Sequence, residues 1–148
     1  MSGKTGNVSF LSVCRFRIDL WLAARSLPWR VSGKSLDQIL AMASPEGHLD
    51  YPGLAPEYIS RRVRKSVRRP LFMRDRRCLR EGLLGFEFLR RSGYDPELHF
   101  AVEPSSIAKD RIAAHCWVCL DGQPVVGDRQ GDQVTILVHR SPADRTVH

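Results

Sequence analysis

Ala113-Ala114-His115-Cys116-Trp117-Val118-Cys119-Leu120-Asp121-Gly122-Gln123-Pro124-Val125-Val126-Gly127-Asp128 is the stretch that decides the fold. Ala113 to Leu120 is an extended run rich in Cys, Trp and Val, and Asp121-Gly122 is a strong type I′ turn signal. A tight hairpin fixes the register. Leu120 then faces Gln123, Cys119 faces Pro124, Val118 faces Val125, Trp117 faces Val126, Cys116 faces Gly127 and His115 faces Asp128. Pro124, which has no N–H, falls at a non-hydrogen-bonded position that asks for no donor. By the same count His115 and Asp128 are a non-hydrogen-bonded pair with Cα atoms ~4.5 Å apart and side chains on one face. An aspartate there accepts the imidazole N–H and sets its tautomer. Asp121 is excluded as the partner, because it sits in the turn roughly 20 Å along the strand at ~3.3 Å per residue.

Upstream, Leu79, Leu83, Phe86 and Leu89 recur at helical spacing between Arg76 and Ser92, and Gly93 is a stop signal. Cys78 lies in the first turn of this helix. Unsatisfied N–H groups and the positive end of the helix dipole favour thiolate over thiol there, as nucleophilic catalysis by sulfur requires. Arg76, Arg77 and Arg80 add positive charge. A lone cysteine in this place would read as a packed thiol. The downstream His115/Asp128 pair turns the reading to a Cys-His-Asp site.

These residues carry a family resemblance. Cys78-Leu79-Arg80-Glu81-Gly82-Leu83-Leu84, Leu89-Arg90-Arg91-Ser92-Gly93-Tyr94, and Ala114-His115-Cys116-Trp117-Val118 with Asp121-Gly122 and Asp128 resemble the transglutaminase-like proteins of lasso peptide biosynthesis. The likeness is strongest from Cys78 to Asp128 and weaker back to about Phe10. It implies a transglutaminase-like, papain-like core and a cysteine peptidase that removes the leader from a ribosomally made precursor. A separate asparagine-synthetase-like cyclase would then close the macrolactam. Cys116 stands where the family usually has alanine. The chain before Phe10 has no room for the winged-helix recognition domain that some members carry, so the resemblance implies a stand-alone form with a separate leader-recognition protein as partner.

The chemistry expected of such a site is acyl transfer. Cys78 attacks the carbonyl at the leader-core junction, His115 protonates the departing amine and later activates water, and Asp128 holds the imidazole. The Cys78 backbone N–H is one candidate oxyanion donor. Gln123 and Gln130 lie at the wrong end of the hairpin for the second. A transglutaminase-like acyltransferase shares the triad, and a non-catalytic basic binding module is the third reading. No cofactor or metal is expected, since the single histidines His48, His99, His139 and His148 show no ligand spacing.

Composition agrees with one domain. The chain has 148 residues, 43% hydrophobic and 26% charged, enough for one core and not two. Residues 1–9 read as a frayed tail and 10–148 as a single transglutaminase-like peptidase domain. The 4 cysteines lack a disulfide framework, and neither a secretory signal nor an apolar run of spanning length is visible, so a reduced, cytoplasmic protein is expected.

Phe10 to Leu27 reads as a broad amphipathic helix ended by Pro28, with Ser12, Arg15, Asp19 and Ser26 on a polar stripe. Phe10, Leu11, Cys14, Ile18, Trp21 and Leu22 are expected to pack on the core. Ser35 caps a short helix to about Ala43, Ser44-Pro45-Glu46-Gly47 and Tyr51-Pro52-Gly53 punctuate a loop, and Pro56 opens a helix ended by Pro70. After Gly93, strands are expected near Leu98 to Val102, Ala113 to Leu120, Gln123 to Asp128 and Gln133 to His139. Helices first and an antiparallel sheet afterwards make an α+β fold with the cysteine helix laid on the sheet.

Two rival signals are weaker. Arg61 to Arg80 holds ten Lys or Arg against the single acid Asp75 and carries much of the net charge of +7. With only Phe72 interleaved and no nucleic-acid-binding signature, it reads first as a solvated face, then as a dock for an acidic leader or partner, and only third as a nucleic-acid site. Cys116-Trp117-Val118-Cys119 is formally a CxxC, but on a strand positions three apart point to opposite faces. Both cysteines are therefore expected to be small core residues.

Overall fold

The computed structural model describes residues 9–44, 49–68, 77–102, 104, 114–127 and 133–140. Among these residues four helices, α1 (Phe10–Val31), α2 (Leu36–Met42), α3 (Pro56–Ser66) and α4 (Arg77–Arg91), precede four strands, β1 (Glu97–Val102), β2 (Ala114–Leu120), β3 (Gln123–Val126) and β4 (Val134–His139). The strands form one antiparallel sheet in the order β3-β2-β1-β4. The α+β expectation and the helical first half hold.

Local chemistry explains most boundaries. Ser35 and Gln38 form a reciprocal capping box at α2. Pro56 opens α3, where a missing N–H costs nothing. Asp121 and Gly122 both adopt positive φ (52° and 79°), as the predicted type I′ turn requires.

α4 is the central element. Residues 80–89 are all buried, because the helix lies between the sheet on one side and α1 and α3 on the other. Two glycines permit the close approach. A Cβ on Gly82 would lie 2.8 Å from Cys116 Sγ, and one on Gly85 would lie 2.9 and 3.0 Å from the two methyls of Val126. The buried acids of α4 are paired, Glu87 with Arg30 of α1 and Glu81 with Arg64 of α3.

α1 departs from expectation in two ways. It runs through Pro28 to Val31 instead of ending before the proline. Leu27 and Val31, one turn apart, are both buried, and that packing outweighs the hydrogen bond the proline cannot donate. The helix also packs by a different face. Phe16, Leu20, Ala23, Ala24, Leu27 and Val31 are buried, whereas Phe10 is 79% exposed and Leu11, Ile18, Trp21 and Leu22 are also exposed.

Asp19, assigned to the polar stripe, is instead drawn into a network. Its carboxylate accepts the Tyr51 hydroxyl at 2.5 Å and faces Arg91 at 3.4 Å, while Arg91 Nε donates to Asp50 at 2.8 Å. Tyr51 is fully buried against Phe16 and Phe88. The turn residue of the Tyr51-Pro52-Gly53 signal thus serves as a core aromatic.

The sheet has two distinct faces. Leu98, Cys116, Val118 and Val126 join the main core under the helices, and Ala101, Trp117 and Cys119 form a small cluster on the other side. Cys116 and Cys119 point to opposite faces, as the strand period demands.

Candidate active site

The site is built where the start of α4 overlies the start of β2. Cys78 is the second residue of α4, so its N–H is among the four that the helix leaves without an internal partner. On β2, His115 and Cys116 are successive residues whose side chains leave opposite faces. Cys78 meets both. The Cys116 thiol donates to the Cys78 backbone carbonyl at 2.9 Å. The Cys116 side chain, its backbone N–H and the His115 ring all act on the Cys78 sulfur through hydrogen bonding.

Among the described residues β3 pairs with β2 from Leu120 as far as Val118, and Cys116 lies two residues past that pairing.

These contacts make Cys78 an acid far stronger than an ordinary thiol. Hydrogen bonding from Cys116, first its thiol and then its N–H, together with the charge and hydrogen bond of His115, outweighs the cost of partial burial. Its pKa falls from 9 to about 5. The thiolate is therefore the prevailing form near neutrality. Cys116 moves the other way, because hydrogen bonding with Cys78 favours its thiol form and the group is buried.

The hairpin count used to place the aspartate does not hold throughout. Leu120 faces Gln123 and Cys119 faces Pro124 as expected, but Val118 faces Val126 rather than Val125. Val125 is an extra residue in a β-bulge. Ser60 of α3 donates its hydroxyl to the Val125 carbonyl, giving the bulged peptide a partner outside the ladder. The slip removes the argument that set Asp128 opposite His115. Asp128 itself lies outside the described residues, as does Gln130, while Gln123 sits exposed beside the turn.

Other residues singled out by sequence have structural places. His99 is stacked on Trp117 with ring centroids 5.5 Å apart and lies 3.1 Å from Glu97. His139 shares a 2.8 Å hydrogen bond with Ser44. His48 and His148 lie outside the described residues. Of the basic stretch, Arg61, Arg64, Lys65 and Arg68 are exposed, consistent with a solvated face, but Arg80 is buried. Among the described residues its Nε and Nη1 have no hydrogen-bond partner, and burial pulls its pKa below the usual guanidinium range.

Cys116 is the site residue that sequence reasoning missed. The signal was available, since Val118 belongs to the core under the helix and Cys116, two residues before it, must share that face. Among the described residues no group of three or more His, Cys, Asp or Glu side chains gathers as a metal-ligand set. Nor does any helix there have the length and apolarity to cross a membrane.

A half-buried cysteine in the first turn of a helix, with a histidine on the adjacent strand of an α+β domain, is an arrangement consistent with acyl transfer. The chain belongs to the Transglutaminase-like superfamily, whose family description matches residues 14–139. Comparison with curated proteins and with solved structures gave no match. The superfamily fold is consistent with cysteine peptidase or acyltransferase activity.

Proposed function

We propose that the protein is a cysteine peptidase that removes the leader from a ribosomally synthesised lasso precursor peptide. The observation that carries the reading is Cys78 itself, a thiolate with pKa about 5 beside His115 at the start of α4. The thiolate attacks the carbonyl at the leader-core junction, and His115 delivers a proton to the departing core amine. A thioester between Cys78 and the leader remains, and His115 then takes a proton from water as it attacks, releasing the leader acid and the thiolate. The Cys78 N–H is positioned by the helix start to donate to the oxyanion.

Asp128 is proposed to orient the His115 ring, an assignment that now rests on the family resemblance alone. The same resemblance supports a separate winged-helix leader-recognition protein as partner and an asparagine-synthetase-like cyclase as the consumer of the freed core.

The test is cleavage of a cognate precursor in the presence of the recognition partner. Wild-type protein should release leader and core, and Cys78→Ala should release neither. Retained cleavage by that variant would remove Cys78 from the mechanism. Product masses separate hydrolysis from acyl transfer to an amine, since only hydrolysis adds the elements of water.

A further inference from the structure

We propose that Cys78 and Cys116 form a reversible intramolecular disulfide, with Cys116 as the resolving thiol for a Cys78 that a hydroperoxide has oxidised. This rests on the reading of Cys78 as a reactive thiolate, but not on what peptide the site cleaves.

The placement of the two sulfurs carries the inference. Cys116 Sγ is 2.9 Å from the Cys78 carbonyl and close enough to Gly82 that a Cβ there would stand 2.8 Å away, so it is held against the helical turn that carries Cys78. That contact sets the two cysteine side chains beside one another where α4 crosses β2. From such a contact, small side-chain rotations bring sulfurs to the ~2.05 Å of a disulfide bond. No other cysteine competes. Cys119 lies on the opposite face of the sheet and Cys14 lies on α1, and all four are unbridged in this structure.

Cys116 is the more deeply buried of the two thiols. Its side chain is 3% exposed, whereas Cys78 is only half-buried. An oxidant from solvent therefore reaches Cys78 first.

The chemistry balances in two steps. The Cys78 thiolate attacks one oxygen of hydrogen peroxide, the O–O bond breaks, and hydroxide leaves as Cys78 becomes a sulfenic acid. The Cys116 sulfur then attacks the Cys78 sulfur, losing its proton as the S–O bond breaks, and water leaves. Peroxide has taken two electrons and the two thiols have lost them. A dithiol such as dithiothreitol returns both electrons and restores both thiols. Trapping the sulfenic acid as a disulfide keeps it from the irreversible sulfinic stage.

The experiment treats the reduced full-length protein with hydrogen peroxide, blocks remaining thiols with N-ethylmaleimide, and maps Cys78 by mass spectrometry. Wild type should lose two hydrogens, yield a Cys78–Cys116 linked peptide, and regain both thiols with dithiothreitol. Cys116→Ser, which keeps a hydroxyl donor, should instead carry Cys78 to the sulfinic acid, beyond rescue by dithiothreitol. Cys116→Ala should end at the same sulfinic acid, more slowly because its Cys78 is less acidic, and this second variant guards against a folding defect in either one. A bridge to Cys14 or Cys119, or sulfinic acid at Cys78 in wild type at the rate of the variants, would overturn the proposal. These readouts need no peptide substrate, so failure of the bridge and failure of the peptidase reading are separate results.

Discussion

Cys116 touches Cys78 in two directions. Its thiol lies 2.9 Å from the Cys78 carbonyl, and its backbone N–H donates to the Cys78 sulfur. The acidity of Cys78 therefore comes chiefly from Cys116, with His115 of the same strand as a second source. Cys116→Ala should raise the pKa of Cys78 from about 5 toward 9 without reaching it, since the N–H and His115 remain. The pH profile of iodoacetamide alkylation at Cys78 measures this shift. An unchanged profile would mean that the Cys116 thiol does not tune the site.

The same contacts link stability to pH. The folded-state pKa of Cys78 lies below its unfolded value, so the folded form holds fewer protons between about 5 and 9, and this contribution to stability grows as pH rises through that window. It is lost as pH falls through about 5. Cys78→Ala should flatten that part of the slope in urea unfolding midpoints taken across the window. An identical slope in both proteins would contradict the depressed pKa.

His115 is assigned both proton transfers. His115→Ala should lower cleavage by about 10²- to 10⁴-fold, the usual worth of a general acid-base group. The measurement is single-turnover cleavage of the cognate precursor, with circular dichroism confirming the fold. Loss of less than tenfold would move the proton transfers to another group.

Gly85 tests how closely α4 must lie on the sheet. Alanine in a helix interior ordinarily gains up to about 1 kcal/mol over glycine. Here the new Cβ would meet both Val126 methyls at 2.9 and 3.0 Å, and a β-branched side chain in a packed sheet has little freedom to turn away. Gly85→Ala should therefore destabilise, by roughly 1 to 3 kcal/mol, the range typical of overpacking. Urea unfolding gives the sign directly.

Ser60 tests the bulge. Its hydroxyl donates to the Val125 carbonyl, and Ser60 is buried. Ser60→Ala leaves that acceptor without its partner and should cost about 1 to 3 kcal/mol. A neutral result in urea unfolding would mean that the bulge is held by the strands alone.

What the sequence made legible, and what it hid, follows the range of the forces involved. The Asp121-Gly122 turn, the Ser35 cap, the proline at the head of α3 and the alternation that separates Cys116 from Cys119 are local, and all four appear as expected. The bulge at Val125 depends on a serine 65 positions away, and no pattern within the hairpin encodes it. It shifted the pairing by one residue and so undid the route by which Asp128 had been chosen. α1 is apolar over most of its circumference, which leaves periodicity little power to tell the buried face from the exposed one. The direction of Cys116 relative to His115 follows from strand alternation, but its contact with the turn of α4 that carries Cys78 comes from long-range packing.

The most direct test of the central claim is the rate of Cys78 alkylation as a function of pH in the wild-type protein. The account predicts a rate that rises through an inflection at about 5 and is level near neutrality. An inflection near 9, the ordinary value for a thiol, would contradict it.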